Sequence, residues 1–145
     1  MGLFDPISTA ATGAEASQTW LNTISDNIAN MNDVTSTSEA AYQPRFVLMT
    51  AVPGPGPGTG PGASSEAGIG SGVAVAGIAL GSPAGVEEYE PTSPLADSNG
   101  MVRSADVDLG QQMTDMMLAQ RGYEANLATI SHAEAAYQAA LGLQV

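Results

Sequence analysis

Few side chains in this sequence could do chemistry. It contains no cysteine and no lysine. That removes thiolate metal sites, disulfides and thiol nucleophiles, as well as a Schiff base or a phosphate-loop lysine. The one histidine, His132, lies two residues before Glu134. A lone histidine cannot build a multi-histidine metal site, and no nucleophile, base and orienting group can be assembled around it. Asp97, Asp106 and Asp108 are near one another in sequence but miss the spacing of a calcium-binding loop, so turn and capping roles fit them better. Gly68, Gly70 and Gly72 form a glycine run that opens no helix and so lacks the helix N-terminus on which a phosphate would sit. The cations are Arg45, Arg103 and Arg121, set against 15 acidic residues for a formal charge of −12. Nucleic-acid binding needs clustered lysine and arginine, so no nucleic acid is expected as a partner. The chain is expected to hold no catalytic, cofactor-binding or metal residues and not to be an enzyme.

What remains is patterned apolar surface, and the pattern identifies the elements. Residues 1–33 are predicted as a helix, with Asp5 as N-cap and Pro6 at the first helical position. Ala10, Ala14, Ser17, Leu21, Ile24, Ile28 and Met31 follow spacings of four and three, a heptad seam with small residues at its start. The polar run after Met31 ends it, because short polar side chains compete for backbone hydrogen bonds. Residues 106–145 repeat the pattern over more than four heptads: Leu109, Met113, Met116, Gln120, Tyr123, Leu127, Ile130, Glu134, Tyr137 and Leu141. Asp108 is the expected N-cap, with Gln111 three residues on as in a capping box. Gln120 and Glu134 interrupt this seam, either by drifting to the surface or by fixing register between subunits. Gly122 costs a helix about 1 kcal/mol relative to alanine, so close approach by a neighbour is expected there.

Residues 34–105 differ from both ends. The run PGPGPGTGPG at 53–62 can be neither helix nor central strand and is expected to be a solvated loop. Strands are predicted at 45–52, 73–80 and 86–90, and Ser98-Asn99-Gly100 signals a tight turn. The fold expected is therefore mainly α: two long terminal helices in a coiled-coil-like antiparallel pair, with a small β-rich and loop-rich middle.

Size and composition bear on how such a chain is held. Ile, Leu, Val and Phe total 27 of 145 residues, a small supply of core for this much negative charge. Alanine raises the apolar fraction but buries little area, so an isolated monomer should be marginal. A helix of 33 residues would span roughly 50 Å, whereas a compact domain of this length has a diameter near 40 Å on a radius of gyration of about 15 Å. The shorter first helix cannot cover the whole second seam. The seams then form either a plain intramolecular hairpin or, with the excess left over, an assembly surface. No run of about 18 apolar residues marks a membrane span, and no basic, apolar leader opens the chain.

The motifs resemble those of the flagellar basal-body rod proteins, most closely a proximal-rod member. Ser25-Asp26-Asn27-Ile28-Ala29-Asn30 is similar to the family's SxNxAN motif, and Tyr42 with Arg45 to the tyrosine and basic residue that follow it. The segment 73–78, VAVAGI, resembles a VxVxxI strand. The segment 89–102, YEPTSPLADSNGMV, resembles YEPxxPxADxxGxV and carries Tyr89, Pro91, Asp97 and Gly100. Arg121-Gly122-Tyr123-Glu124-Ala125-Asn126 is similar to an R-S-Y-x-A-N motif, with Gly122 where serine is usual. The Pro-Gly run and the spacer between Asn30 and Tyr42 are longer than the family pattern.

The resemblance implies a structural role. It implies export through the flagellar type III apparatus without a cleaved signal peptide. It implies polymerisation, by self-association and with proximal and distal rod subunits and the protein linking rod to export gate, into the tubular drive shaft that spans the periplasm around the export channel. The terminal helices, 1–33 and 106–145, would form the inner helical layer, with 34–105 outside it. The residues expected at the helical and intersubunit seam are Leu21, Ile24, Ile28, Met31, Met113, Met116, Tyr123, Leu127, Ile130, Tyr137 and Leu141. The motif positions are Asn27, Ala29, Asn30, Tyr89, Pro91, Asp97, Gly100, Arg121, Tyr123 and Asn126. From the seams alone, a soluble helical adaptor or export chaperone, binding partners reversibly, remains the alternative.

Overall fold

A computed structural model describes residues 5–53 and 70–142. Except for Pro53, the Pro-Gly run falls outside the described residues, as do Gly68 and Ile69 of the glycine run. The chain runs α1 (Asp5–Ala29), β1 (Val34–Thr35), β2 (Arg45–Val52), β3 (Gly72–Leu80), β4 (Val86–Tyr89), β5 (Met101–Ser104) and α2 (Leu109–Gly142). Two helices thus flank a small β-rich middle. Strands β2 and β3 form a two-stranded sheet, and β1, β5 and β4 a three-stranded one in that order. Three of the strands fall within a residue of the segments predicted from sequence, whereas β1 and β5 were not foreseen. The chain divides into two interleaved units, one comprising Met1–Thr19, Leu48–Ala76 and Ala119–Val145, the other Trp20–Val47 and Gly77–Leu118.

In the first unit the contacts between helices are made by small residues. A Cβ added at Gly13 would lie 2.6 Å from Asn126 Oδ1, and one at Gly122 would lie 3.3 Å from Ser17 Oγ. Four residues forward on α1 therefore correspond to four backward on α2. Ser17 returns its hydroxyl to the Gly13 carbonyl (2.8 Å), and Asn126 Nδ2 donates to the Gly122 carbonyl (2.8 Å). Gly122 is tolerated in mid-helix because it admits Ser17, which offsets its helix propensity. On another side of α1, Thr12 Oγ1 accepts the Val73 N–H at the start of β3 (3.2 Å). Ala10, Ala14 and Ala16 are buried. Thr12 and Ala16 stand off the predicted heptad stripe, so α1 buries a second face that a single seam does not describe.

In the second unit β5 is the central strand. It pairs antiparallel with β1 (Val34 opposite Ser104, Thr35 opposite Arg103) and with β4 (Val86 opposite Ser104 through Tyr89 opposite Met101). Val102 at its middle is 0% exposed. Arg103 ties down the chain on both sides, donating to the Glu39 carbonyl (2.7 Å) and standing 3.9 Å from Glu87 across the ladder. The loop between β4 and β5 is built on Asp97, whose Oδ1 accepts the N–H groups of Asn99 (2.7 Å) and Met101 (3.0 Å) while Thr37 donates to Oδ2 (3.3 Å). Gly100 closes the turn at φ 78°, a left-handed conformation costly for any side chain, and a Cβ there would also strike the Tyr89 ring. At the start of α2, Asp108 Oδ1 accepts the Gln111 N–H (3.0 Å) and is the N-cap. The reciprocal half of a capping box is replaced: Gln111 Nε2 donates forward to Asp115 (2.9 Å).

Candidate functional site

Two features combine motif residues with unusual physics. The first is a buried polar junction around Asn27, which is 1% exposed near the end of α1. Its Nδ2 donates to the Arg45 carbonyl (2.9 Å) and to Gln112 Oε1 on α2 (3.1 Å). Its Oδ1 accepts the Arg45 N–H (2.8 Å) and the Tyr42 hydroxyl (3.1 Å). Two donors and two acceptors are thus all used, which is the full capacity of an amide side chain. The Arg45 N–H can meet only an oxygen, and that fixes the orientation of the amide. Pro44, itself buried, brings the chain to this point, and its carbonyl accepts the Gly81 N–H (2.7 Å). The Arg45 side chain makes a separate, exposed ion pair with Asp26 (3.2 Å). One asparagine therefore fastens the end of α1, the first residue of β2 and the first turn of α2.

The second feature is an apolar strip on α2. The residues of α2 that are buried or half-buried include Gln112, Asp115, Met116, Ala119, Gly122, Tyr123, Asn126, Ile130 and Ala133, largely small or polar side chains. The predicted seam is centred one position further along: Met113 is 56% exposed, Leu127 44% and Leu141 51%, with Leu109 and Tyr137 also exposed. Met116, Tyr123 and Ile130 lie on the border shared by the two faces. The large apolar residues of the predicted seam therefore lie mostly outward: the close approaches to α1 are made at Gly122 and Asn126, while Leu109, Met113, Met117 and Leu118 are exposed. On α1 the predicted seam lies inward, with Ile24 buried and Leu21 and Ile28 half-buried; α1 ends at Ala29, and Met31 is half-buried in the turn that follows it.

The remaining motif residues are dispersed. Ala29 and Asn30 are exposed, and Asn30 Nδ2 returns to the Asp26 carbonyl of its own helix (2.7 Å). Tyr89 and Pro91 are exposed beside Gly100. Backbone N–H donation from Met101, then Asn99, holds the Asp97 carboxyl below the usual carboxylate range, and the Thr37 hydroxyl adds to this. Arg121 is exposed and makes no ion pair among the described residues. His132 and Glu134 are exposed on α2, and no group of three metal-ligating side chains occurs among the described residues. No described helix is long and apolar enough to cross a membrane. Gln112, Gly13 and Met117 are the residues that sequence reasoning missed. A polar glutamine beside Met113 carries no periodicity signal, and Gly13 is distinguished only by what it faces.

Comparison with known proteins agrees with the motifs. Residues 7–35 match the family described as flagella basal body rod protein, and residues 98–143 the one described as flagellar basal body rod FlgEFG protein C-terminal. The flagellar basal-body rod protein FlgC of Agrobacterium fabrum is 33% identical over 131 residues, covering 87% of this chain and 86% of that protein. The FlgC of Borreliella burgdorferi is 31% identical over 149 residues, covering 99% and 98%, and that of Salmonella typhimurium is 29% identical over 133, covering 90% of each. With Asn27 of the SDNIAN motif buried as a polar hub and both terminal helices matching rod families, the chain belongs to the flagellar basal-body rod proteins: it is FlgC-like, a structural subunit of the rod and not an enzyme.

Proposed function

We propose that this subunit polymerises through its two terminal helices into the tubular wall of the rod, and that the exposed strip of α2 is the surface it presents to neighbouring subunits. The single observation that carries this reading is the division of α2 into two faces. Mostly small and polar residues face inward, with Met116, Tyr123 and Ile130 on the border, while Leu109, Met113, Met117 and Leu127 share an outward face and Leu141 is exposed near the helix end. A stripe of large apolar side chains along a helix of 34 residues is costly to leave wet and marks an interaction face. The sites where Gly13 meets Asn126 and Ser17 meets Gly122 support an antiparallel, coiled-coil-like pairing of the helices as the unit that is donated. In this reading the neighbours are proximal and distal rod subunits and the protein linking the rod to the export gate. The chain would arrive through the flagellar export apparatus, without loss of a leader, and stand in the part of the rod that crosses the periplasm.

Met113→Asp and Leu127→Asp test the reading. Each places a charge on the exposed strip, at side chains that are 56% and 44% open to solvent in the folded chain. The purified variants should keep the circular dichroism of the parent, while cells relying on them should lose motility and yield hook–basal bodies lacking the chain. Normal incorporation of both variants would refute the strip as an intersubunit face. Intact-mass measurement of the chain recovered from hook–basal bodies tests the export route, since a shortened N-terminus would contradict it.

A further inference from the structure

We propose that Met113 and Met117 are a site of thioether oxidation whose state decides whether the α2 strip can be buried, an inference that rests on reading that strip as an intersubunit face. Both residues expose more than half of their surface; Met49 is exposed to a lesser degree at 41%, and Met31, Met101 and Met116 are half-buried. They stand four residues apart on α2, so their side chains share one face, with the exposed Leu109 one turn before Met113. The chain has no cysteine, so these thioethers are the most accessible soft nucleophiles among the described residues before assembly. Hydrogen peroxide is the oxidant. A sulfur lone pair attacks one peroxide oxygen, the O–O bond breaks as the S–O bond forms, and water departs, leaving methionine sulfoxide. The sulfur loses two electrons and the peroxide is reduced. The product carries a strong dipole where the strip was apolar, and burying an unpartnered dipole is unfavourable. Met116, on the border with the inward face, is shielded from the same reaction by its own chain. The site thus makes an exposed assembly surface sensitive to peroxide until neighbours cover it.

Two measurements test this. The purified chain is treated with graded hydrogen peroxide, digested and analysed by mass spectrometry. Sulfoxide at Met113 and Met117 should rise several-fold ahead of that at Met31, Met101 and Met116, and a parallel rise at every position would overturn the site. The second uses M113Q/M117Q, which places a neutral dipole of similar length at both positions. With unchanged helicity, it should enter hook–basal bodies several-fold less than the parent. If M113D is excluded but M113Q/M117Q incorporates normally, the strip remains an interface and the oxidation proposal alone is overturned. If M113D itself incorporates normally, the interface reading fails and takes the proposal with it.

Discussion

An amide side chain with two donors and two acceptors, fully buried, has little tolerance for change. Asn27 spends all four on Arg45, Gln112 and Tyr42. Asn27→Ala strands the Arg45 backbone groups and Gln112 without water, and each unsatisfied buried group costs about 1–3 kcal/mol. Asn27→Ala is therefore expected to lower the urea midpoint of the purified chain by the equivalent of about 3 kcal/mol, and a shift below the error of the measurement would refute the hub. Asn27→Asp should do similar damage, since it keeps the acceptors and removes both donors. Arg121 makes the opposite case. Exposed and without an ion pair among the described residues, it should contribute less than about 0.5 kcal/mol to the free chain. If it pairs with a carboxylate of a neighbouring subunit, Arg121→Ala leaves the urea midpoint unchanged and reduces motility, whereas wild-type swarming would dismiss that pairing. Asp97 is read through pH. Its folded carboxyl is held below the ordinary range, mainly by the Met101 and Asn99 N–H groups. The stability it contributes is therefore present above the unfolded carboxylate range and is lost as pH falls through the lower, folded value. Asp97→Asn should flatten that part of the acid limb of a stability–pH curve, and an unchanged limb would show that Asp97 does not contribute.

At the scale of elements, close helix approach depends on absent side chains. Gly13→Ala brings a methyl within 2.6 Å of Asn126 Oδ1, so it is expected to destabilise despite the better helix propensity of alanine, worth about 1 kcal/mol. Adding Asn126→Ala removes the obstacle, and the double variant should recover most of the loss. A strictly additive cycle would mean that the two positions do not meet. The same elements show what sequence could convey. Strand β2 was legible to its bounds because a β-branched and aromatic run stands between Pro44 and Pro53, and Asp108 was legible as a cap because its chemistry is local. Strands β1 and β5 were not, being two and four residues long and stabilised by partners distant in sequence. The face that α2 turns inward lies one position before the predicted stripe, because a periodicity of large apolar residues locates apolar surface without saying what covers it. Asn27 was visible as a motif, but its partner Gln112, 85 residues away, left no trace in the spacing.

At the scale of the whole molecule, the core is short of large side chains. Of the eight buried apolar residues that form it among the described residues, six are alanine, and Ile24 and Val102 are the exceptions. Burying an isoleucine or valine contributes about 1.5–3 kcal/mol and an alanine far less, so cohesion in the free chain rests on the Asn27 hub, the β5 ladder and a few small-residue contacts. These are unevenly distributed along α2. Gln112 and Ala119 are buried and Met116 half-buried, whereas among the described residues beyond Leu127 only Ile130 and Ala133 are even half-buried. Helical stretches of this length without tertiary cover are marginal in water. Hydrogen exchange of the free chain should therefore protect the amides around 112–122 and leave those beyond about residue 134 exchanging near the unprotected rate. In chains recovered within hook–basal bodies the same distal amides should become protected, because the neighbours that cover Leu127 and Leu141 would supply the packing the monomer lacks. Equal protection along the whole of α2 in the free chain would mean that the helix is self-sufficient, and that assembly buries a surface already ordered without it.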